Sequence, residues 1–133
     1  MDRFPHGSLF HTTKWRRILE KTFLYTSCFL VVSEEDVIRG ILPLYLVPKP
    51  LGGHMGVSVP FGVYGGILAE QSEVKEKLLK GAQNLAVEKN LDSIEFRQVE
   101  KLNDSLPTKD LYFTFMREIF DGEEKNMAAI PHW

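Results

Sequence analysis

The sequence predicts an α/β (α+β) fold in which a mixed, mostly antiparallel sheet is flanked by helices. Two runs rich in β-branched and aromatic residues, 26–32 and 37–47, are separated by a polar turn and predict an antiparallel hairpin. A long helix with one apolar face follows, and a short strand at 93–97 comes after it. Because hairpins pair antiparallel strands and a helical crossover can join parallel ones, we expect both arrangements in the sheet.

Composition places the chain among ordinary globular domains. Its 133 residues suit a single domain over 1–133, with 44% hydrophobic and 26% charged residues. The net charge of −2 does not favour a general nucleic-acid binder, so no DNA partner is expected. The lone Cys28 and four scattered histidines predict neither a disulfide nor a metal site, and they fit a cytoplasmic protein. We expect no membrane segment and no secretion signal.

The first half of the chain supplies one helix and three strands. Thr12 or Thr13 can cap a helix whose apolar residues recur at close to helical spacing. These residues are Trp15, Ile18, Leu19 and Phe23. Pro43 in the second strand indicates an edge or a bulge, because proline has no N–H to donate to a neighbouring strand. A third strand is predicted at 54–59.

The second half begins with a helix that Ser72 is expected to cap and that Asn90 can end in a left-handed conformation. Its apolar face comprises Val74, Leu78, Ala82, Leu85 and Ala86. After the strand at 93–97, a further strand is predicted at 111–116 and a further helix at 118–129. The strands at 26–32, 37–47, 54–59 and 93–97 should share one sheet, with Trp15 and Leu78 packed against it.

A glycine-rich loop at the end of the third strand is the candidate site. Gly62, Gly65 and Gly66 let the backbone approach a ligand, while Phe61 and Tyr64 provide aromatic faces. Such a loop at the end of a buried strand is a common place for a binding site. The same residues also suit a strand end and turn in which glycine serves geometry alone and Tyr64 packs into the core.

Arg97 is the remaining candidate for this site. It shares one face of its strand with Glu95, so it forms either a surface ion pair or part of the site. If the strand carries Arg97 to the loop, its guanidinium could hold a phosphate or carboxylate. The predicted substrate-binding set is therefore Phe61, Tyr64, Gly65, Gly66 and Arg97. No P-loop, G-x-G-x-x-G or G-x-S-x-G pattern identifies catalytic residues.

Three segments in register resemble the Fem-type acyltransferases, and the subgroup associated with bacterial exopolysaccharide and exosortase systems most of all. These segments are the helix start FHTTKWRR at 10–17, GILPL at 40–44 and VPFGVYGG at 59–66. The late segment EEKNMAAIP at 123–131 is similar to the family's approach to a basic helix. Together these segments extend the resemblance over nearly the whole chain.

The resemblance implies a fold related to the general-control-type N-acetyltransferases, and an acyl or aminoacyl transfer to an amine of a cell-wall (peptidoglycan) or exopolysaccharide precursor. The family's basic helix and second half do not follow residue 131, so an N-terminal half, incomplete at the C-terminus, is expected. No cofactor is evident from the residues. The resemblance implies an aminoacyl-tRNA or acyl-coenzyme A donor, although the coenzyme A loop Q/R-x-x-G-x-G/A is absent.

Two classes of function remain open. The first is an enzyme module that binds the small-molecule or cell-wall precursor substrate of the transferase. The second is a non-catalytic binding or dimerisation module that keeps the fold. We expect a homodimer formed through an uncovered face or edge strand, with Ile130 and Trp133 as candidates for burial in the partner.

Overall fold

The computed structural model describes residue 4 and residues 6–103, 105–110, 113–115 and 117–130. A 3₁₀ turn, η1, precedes the first helix, and the described elements then alternate between strands and helices. In chain order they are η1 (Leu9–His11), α1 (Thr13–Phe23), β1 (Thr26–Glu34), β2 (Val37–Pro48), β3 (His54–Ser58), β4 (Leu68–Ala69), α2 (Ser72–Glu88), β5 (Ile94–Phe96) and α3 (Glu123–Ala128).

One five-stranded sheet forms the framework, with the strand order β1-β2-β3-β5. The short strand β4 pairs with Gly40 and Ile41 near the start of β2, whereas β3 pairs with the end of β2. The pairs of β2 with β1, β3 and β4 are antiparallel, whereas β3 and β5 are parallel. The chain reaches β5 from β3 through β4 and α2, as a parallel pair requires. The sequence prediction of a mixed, mostly antiparallel sheet flanked by helices is therefore confirmed.

The β1–β2 hairpin closes through a two-residue turn. Glu35 and Asp36 both have positive φ, at 49° and 61°, which is the conformation of a type I′ hairpin turn. The ladder runs from Thr26 opposite Leu46 to Glu34 opposite Val37, with one irregularity between Val32 and Ser33. This long register makes β2 the central strand of the sheet.

Helices cover both faces of the sheet, because alternate residues of β1 and β2 point to opposite sides. On one face, Val74, Leu78 and Ala82 of α2 pack with Leu42 and Leu44. On the other face, Leu19 of α1 packs with Tyr45 and Val59, and Trp15 and Phe29 pack around them. The two apolar clusters place β2 at the centre of a helix–sheet–helix sandwich.

Several local predictions need correction. Ile18 and Phe23, which were predicted on the apolar side of α1, are both exposed, because Trp15 and Leu19 make the main contact of this helix with the sheet. Gln71, not Ser72, is the N-cap of α2, and its side chain makes no capping hydrogen bond.

Two predictions about helix ends are confirmed. Thr12 caps α1, since its hydroxyl accepts a hydrogen bond from the Trp15 N–H. Asn90 is left-handed, as predicted.

Pro43 is neither in an edge strand nor at the bulge. It lies opposite Phe29 in the central strand, while the irregularity lies between Val32 and Ser33 of β1, opposite residues 38–40 of β2. On its other side, β2 pairs with β4 up to Ile41 and with β3 from Tyr45 onward. Pro43 therefore lies in the interval between these two partners, where a missing N–H removes no ladder bond.

The C-terminal predictions are met only in part. Leu111, Tyr112 and Met116 of the expected strand at 111–116 lie outside the described residues, and 113–115 belongs to no strand. The helix predicted at 118–129 begins later, at Glu123, and ends at Ala128. Residues 117–122 are largely exposed and lack the packing that would stabilise a longer helix.

Leu78→Ala should lower the free energy of unfolding by about 2–5 kcal/mol, because Leu78 is 2% exposed at the centre of the contact between α2 and the sheet. Val87→Ala on the same helix is the matched control, since Val87 is 84% exposed and should change stability by less than about 0.5 kcal/mol. Urea unfolding measures both variants. Equal losses would contradict the assigned packing of α2.

Candidate functional site

A cavity of about 340 Å³ opens where the β3–β4 loop, the start of α2 and the end of β5 meet. Its lining combines aromatic, basic, acidic and backbone groups from four parts of the chain. The lining residues are Phe4, His6, His11, Tyr64, Gly66, Ile67, Leu68, Ala69, Glu70, Gln71, Ser72, Lys75, Arg97, Gln98, Val99 and Glu100. The cavity therefore lies at the edge of the sheet, next to the parallel pair β3–β5.

The loop that forms one wall of the cavity, residues 59–67, is held by side chains bonded to its carbonyl groups. The Ser58 hydroxyl donates to the Gly65 carbonyl at 2.7 Å, and the Ser8 hydroxyl donates to the Tyr64 carbonyl at 2.8 Å. His11 Nε2 lies 2.9 Å from the Gly66 carbonyl oxygen. Because much of this loop is buried, its carbonyl groups need such partners in place of water.

Arg97 secures the beginning of the same loop. Its Nη1 donates to the carbonyl oxygens of Gly62 at 2.9 Å and Val59 at 3.3 Å. Its backbone N–H donates to the Ser58 carbonyl at 3.0 Å, and its Nε donates to Glu95 Oε1 at 2.7 Å. Arg97 thus forms the predicted ion pair with Glu95 and also borders the cavity, while its predicted role in holding a ligand stays a prediction.

His11 is fixed by bonds at both ring nitrogens. The Ser8 backbone N–H donates to Nδ1 at 3.3 Å, so Nδ1 is an acceptor and Nε2 carries the proton that is donated to Gly66. Burial lowers the pKa of His11 below its ordinary value of 6.5, against the opposing effect of the bond that Nε2 donates to the Gly66 carbonyl. A neutral His11 therefore holds the loop, and neither nitrogen is free to accept a proton from a substrate.

Three of the five predicted site residues line the cavity and two do not. Tyr64, Gly66 and Arg97 line the cavity, whereas Phe61 and Gly65 lie outside its lining. Phe61 packs on α1 instead, where its ring stacks on the ring of Phe23 with the two ring centroids 4.6 Å apart. The ligand role of all five stays a prediction.

Two of the loop glycines are required by close contacts. A Cβ on Gly66 would lie 1.6 Å from the Gln98 side-chain oxygen, and one on Gly65 would lie 2.3 Å from Val59 Cγ2. Since real Cβ atoms do not approach so closely, a side chain at Gly65 would displace Val59 at the start of the loop, and one at Gly66 would displace the side chain of Gln98. Glycine here serves geometry, and this geometry also shapes the cavity.

Sequence reasoning missed the basic contribution of α2. Lys75 lines the cavity and, in the part of the chain that the structure describes, has no ion-pair partner. Gln71 and Ser72 at the uncapped start of α2 also line it, so the positive end of the helix dipole faces the cavity. A helix start followed by lysine in its first turn is the available sequence signal, although many surface helices share it.

The Ser8–His11 pair was also missed. Serine followed three residues later by a side chain that accepts from the serine N–H is the spacing of a capping box, with histidine in place of glutamate. This local signal could identify the pair as a cap. It could not reveal the contacts with Tyr64 and Gly66, which lie more than fifty residues away in sequence.

Among the described residues, no group of three or more His, Cys, Asp or Glu side chains could hold a metal ion. No helix in the described ranges is long and apolar enough to cross a bilayer. The sequence matches no protein-family model and no curated protein.

The pH dependence of folding should report His11. Because its pKa is lowered in the folded protein, the unfolded chain binds this proton more tightly. The His11 contribution to stability is then fully present above about pH 6.5 and is lost as the pH falls from there through the folded-state pKa. In His11→Gln, whose amide can still donate to Gly66, this part of the pH dependence should disappear.

Chemical denaturation of both proteins at a series of pH values measures the difference. His54→Gln is the matched control for the removal of one imidazole, since His54 is exposed at the start of β3. Identical pH dependence in wild type and His11→Gln would contradict the assigned role of His11.

Proposed function

We propose that this chain is the N-terminal, substrate-binding module of a cytoplasmic Fem-like N-acyltransferase with an N-acetyltransferase-like fold. Its cavity holds the acceptor, an amine-bearing cell-wall or exopolysaccharide precursor, and the acyl donor is an aminoacyl-tRNA or acyl-coenzyme A. One observation carries the proposal. The loop that bears the family resemblance is also the loop that places Tyr64 and Gly66 on the cavity wall.

The charges of the cavity support an anionic ligand. Lys75 and the start of α2 supply positive potential at the cavity, and the Arg97 guanidinium, which is paired with Glu95, lies at the same rim. The two acidic residues of the lining also have basic neighbours, since Glu70 Oε2 lies 3.1 Å from Arg39 Nη1 and Glu100 Oε1 lies 4.0 Å from His6 Nε2. Phosphate and carboxylate groups, which cell-wall precursors carry, suit such a site.

The described residues support binding better than proton transfer. His11 uses both nitrogens on the backbone, and Arg97 is committed to two loop carbonyls and Glu95. Catalysis in the proposal therefore rests on positioning the acceptor, and the general base comes from the donor side of the enzyme or from the ligand itself.

The second candidate is a non-catalytic binding or homodimerisation module. The observation that favours it is the exposed apolar segment near the C-terminus, where Phe113 and Phe115 are 88% and 95% exposed and Ile119 is 87% exposed. Large apolar side chains at such exposure are typical of surfaces that a partner covers. Ile130 is 46% exposed, in keeping with the same proposal, and Trp133 lies outside the described residues.

Binding of a fluorescently labelled UDP-linked muramyl pentapeptide, a soluble cell-wall precursor, tests the proposal. Tyr64→Ala should weaken binding about tenfold through the loss of an aromatic contact. Lys75→Gln should weaken it about tenfold or more and reduce its salt dependence, since one charged contact is lost. Lys77→Gln, an exposed lysine on the same helix, is the matched control and should bind as wild type does.

Unchanged affinity in a folded Tyr64→Ala variant would remove the loop from the site. No binding by wild type, together with a stable dimer in light scattering, would favour the dimerisation module.

A further inference from the structure

The surface of α1 combines unpaired cations with protruding apolar side chains. Between residues 4 and 33 the only acidic residue is Glu20, against four basic ones, although the whole chain has a net charge of −2. The Glu20 carboxylate forms an ion pair with Arg16, whose Nε lies 2.9 Å from Oε1, and it accepts a hydrogen bond from the Ser27 hydroxyl. Lys14, Arg17 and Lys21 are exposed and, within the described ranges, have no ion-pair partner.

These cations share one side of the helix with an exposed apolar residue. Ile18 lies four residues after Lys14 and three before Lys21, which are the spacings of neighbours on a helix surface. At the end of the helix, Leu24 follows Lys21 by three residues and is exposed. Phe23 lies on another side of α1, where it stacks on Phe61 and Tyr25.

One of the protruding residues occupies a backbone position that disfavours it. Leu24 ends α1 with φ at 56° and is 85% exposed. The left-handed region is the usual place of glycine or asparagine, because a Cβ is strained there. Neither exposure to water nor local folding favours leucine at this position, so its presence points to a contact outside the chain.

We propose that this surface docks on an anionic lipid bilayer. We call it the α1 face, and it consists of Lys14, Arg17, Ile18, Lys21 and Leu24. Cations beside exposed aliphatic side chains suit a helix that lies in the plane of the membrane interface, with apolar side chains inserted and basic ones at the headgroups. The inference does not depend on the ligand in the cavity.

The other occupants fit less well. A second copy of the chain would bring two sets of unpaired cations together, which costs energy. A nucleic acid would be held by the cations but would leave the aliphatic side chains of Ile18 and Leu24 in contact with a phosphate backbone or water. A bilayer satisfies both kinds of side chain at once.

Flotation with vesicles of equal parts phosphatidylcholine and phosphatidylglycerol tests the proposal, with pure phosphatidylcholine vesicles as the neutral comparison. The wild-type chain should bind the anionic vesicles and release them at high salt. Substitution of Lys14, Arg17 and Lys21 by glutamine should weaken binding by about fivefold per residue and on the order of 100-fold in total. The matched triple Lys77→Gln, Lys80→Gln and Lys89→Gln makes the same change in net charge on α2 and its C-cap and should bind as wild type does.

The Leu24→Asn variant distinguishes an effect on insertion into the bilayer from an effect on the folding of the chain. Asparagine suits the left-handed position, so thermal stability should be kept or raised while binding to anionic vesicles falls several-fold. Equal binding to neutral and anionic vesicles, or full binding by the α1 triple variant, would overturn the proposal. A dimer that Leu24→Asn abolishes, or tighter binding to a single-stranded oligonucleotide than to vesicles, would also overturn it.

Discussion

The need of buried carbonyl groups for hydrogen-bond donors is the constraint on which the candidate site depends. In the loop 59–67, the carbonyls of Val59, Gly62, Tyr64, Gly65 and Gly66 all receive bonds from side chains. The donors come from η1 and its N-cap, from β3 and from the residue after β5. Because these segments are distant in sequence, the cavity wall can form only when the sheet and the N-terminal turn are both in place.

Sheet register determines where the most important donor lies. The parallel pairing of Ser58 with Phe96 places Arg97 directly beside the start of the loop. A slip of one residue would turn the guanidinium to the other face of the sheet and leave two loop carbonyls without a partner. The core packing of α2 and α1 on opposite faces therefore supports the site indirectly, since it stabilises the register of β3 and β5.

Local patterns were sufficient to predict the hairpin, both long helices and the common sheet, because each depends on residues close together in sequence. The predicted strand at 93–97 also suggested that Arg97 could lie near Tyr64 and Gly66, and all three residues line the same cavity. Local patterns could not identify Ser8 and His11 as partners of the loop, nor β4, which has only two residues. Ile18 was misassigned because helical spacing identifies a stripe of residues but not how much of it the sheet covers.

Amide hydrogen exchange across residues 59–67 in wild type and Arg97→Met tests the central claim that side-chain bonds to carbonyls hold the cavity wall. Methionine keeps most of the length of the side chain but removes both bonds to the loop. The account predicts faster exchange confined to the loop and the adjoining end of β5, with unchanged protection in the β1–β2 hairpin. Loop exchange equal to that of wild type in the folded variant would contradict it.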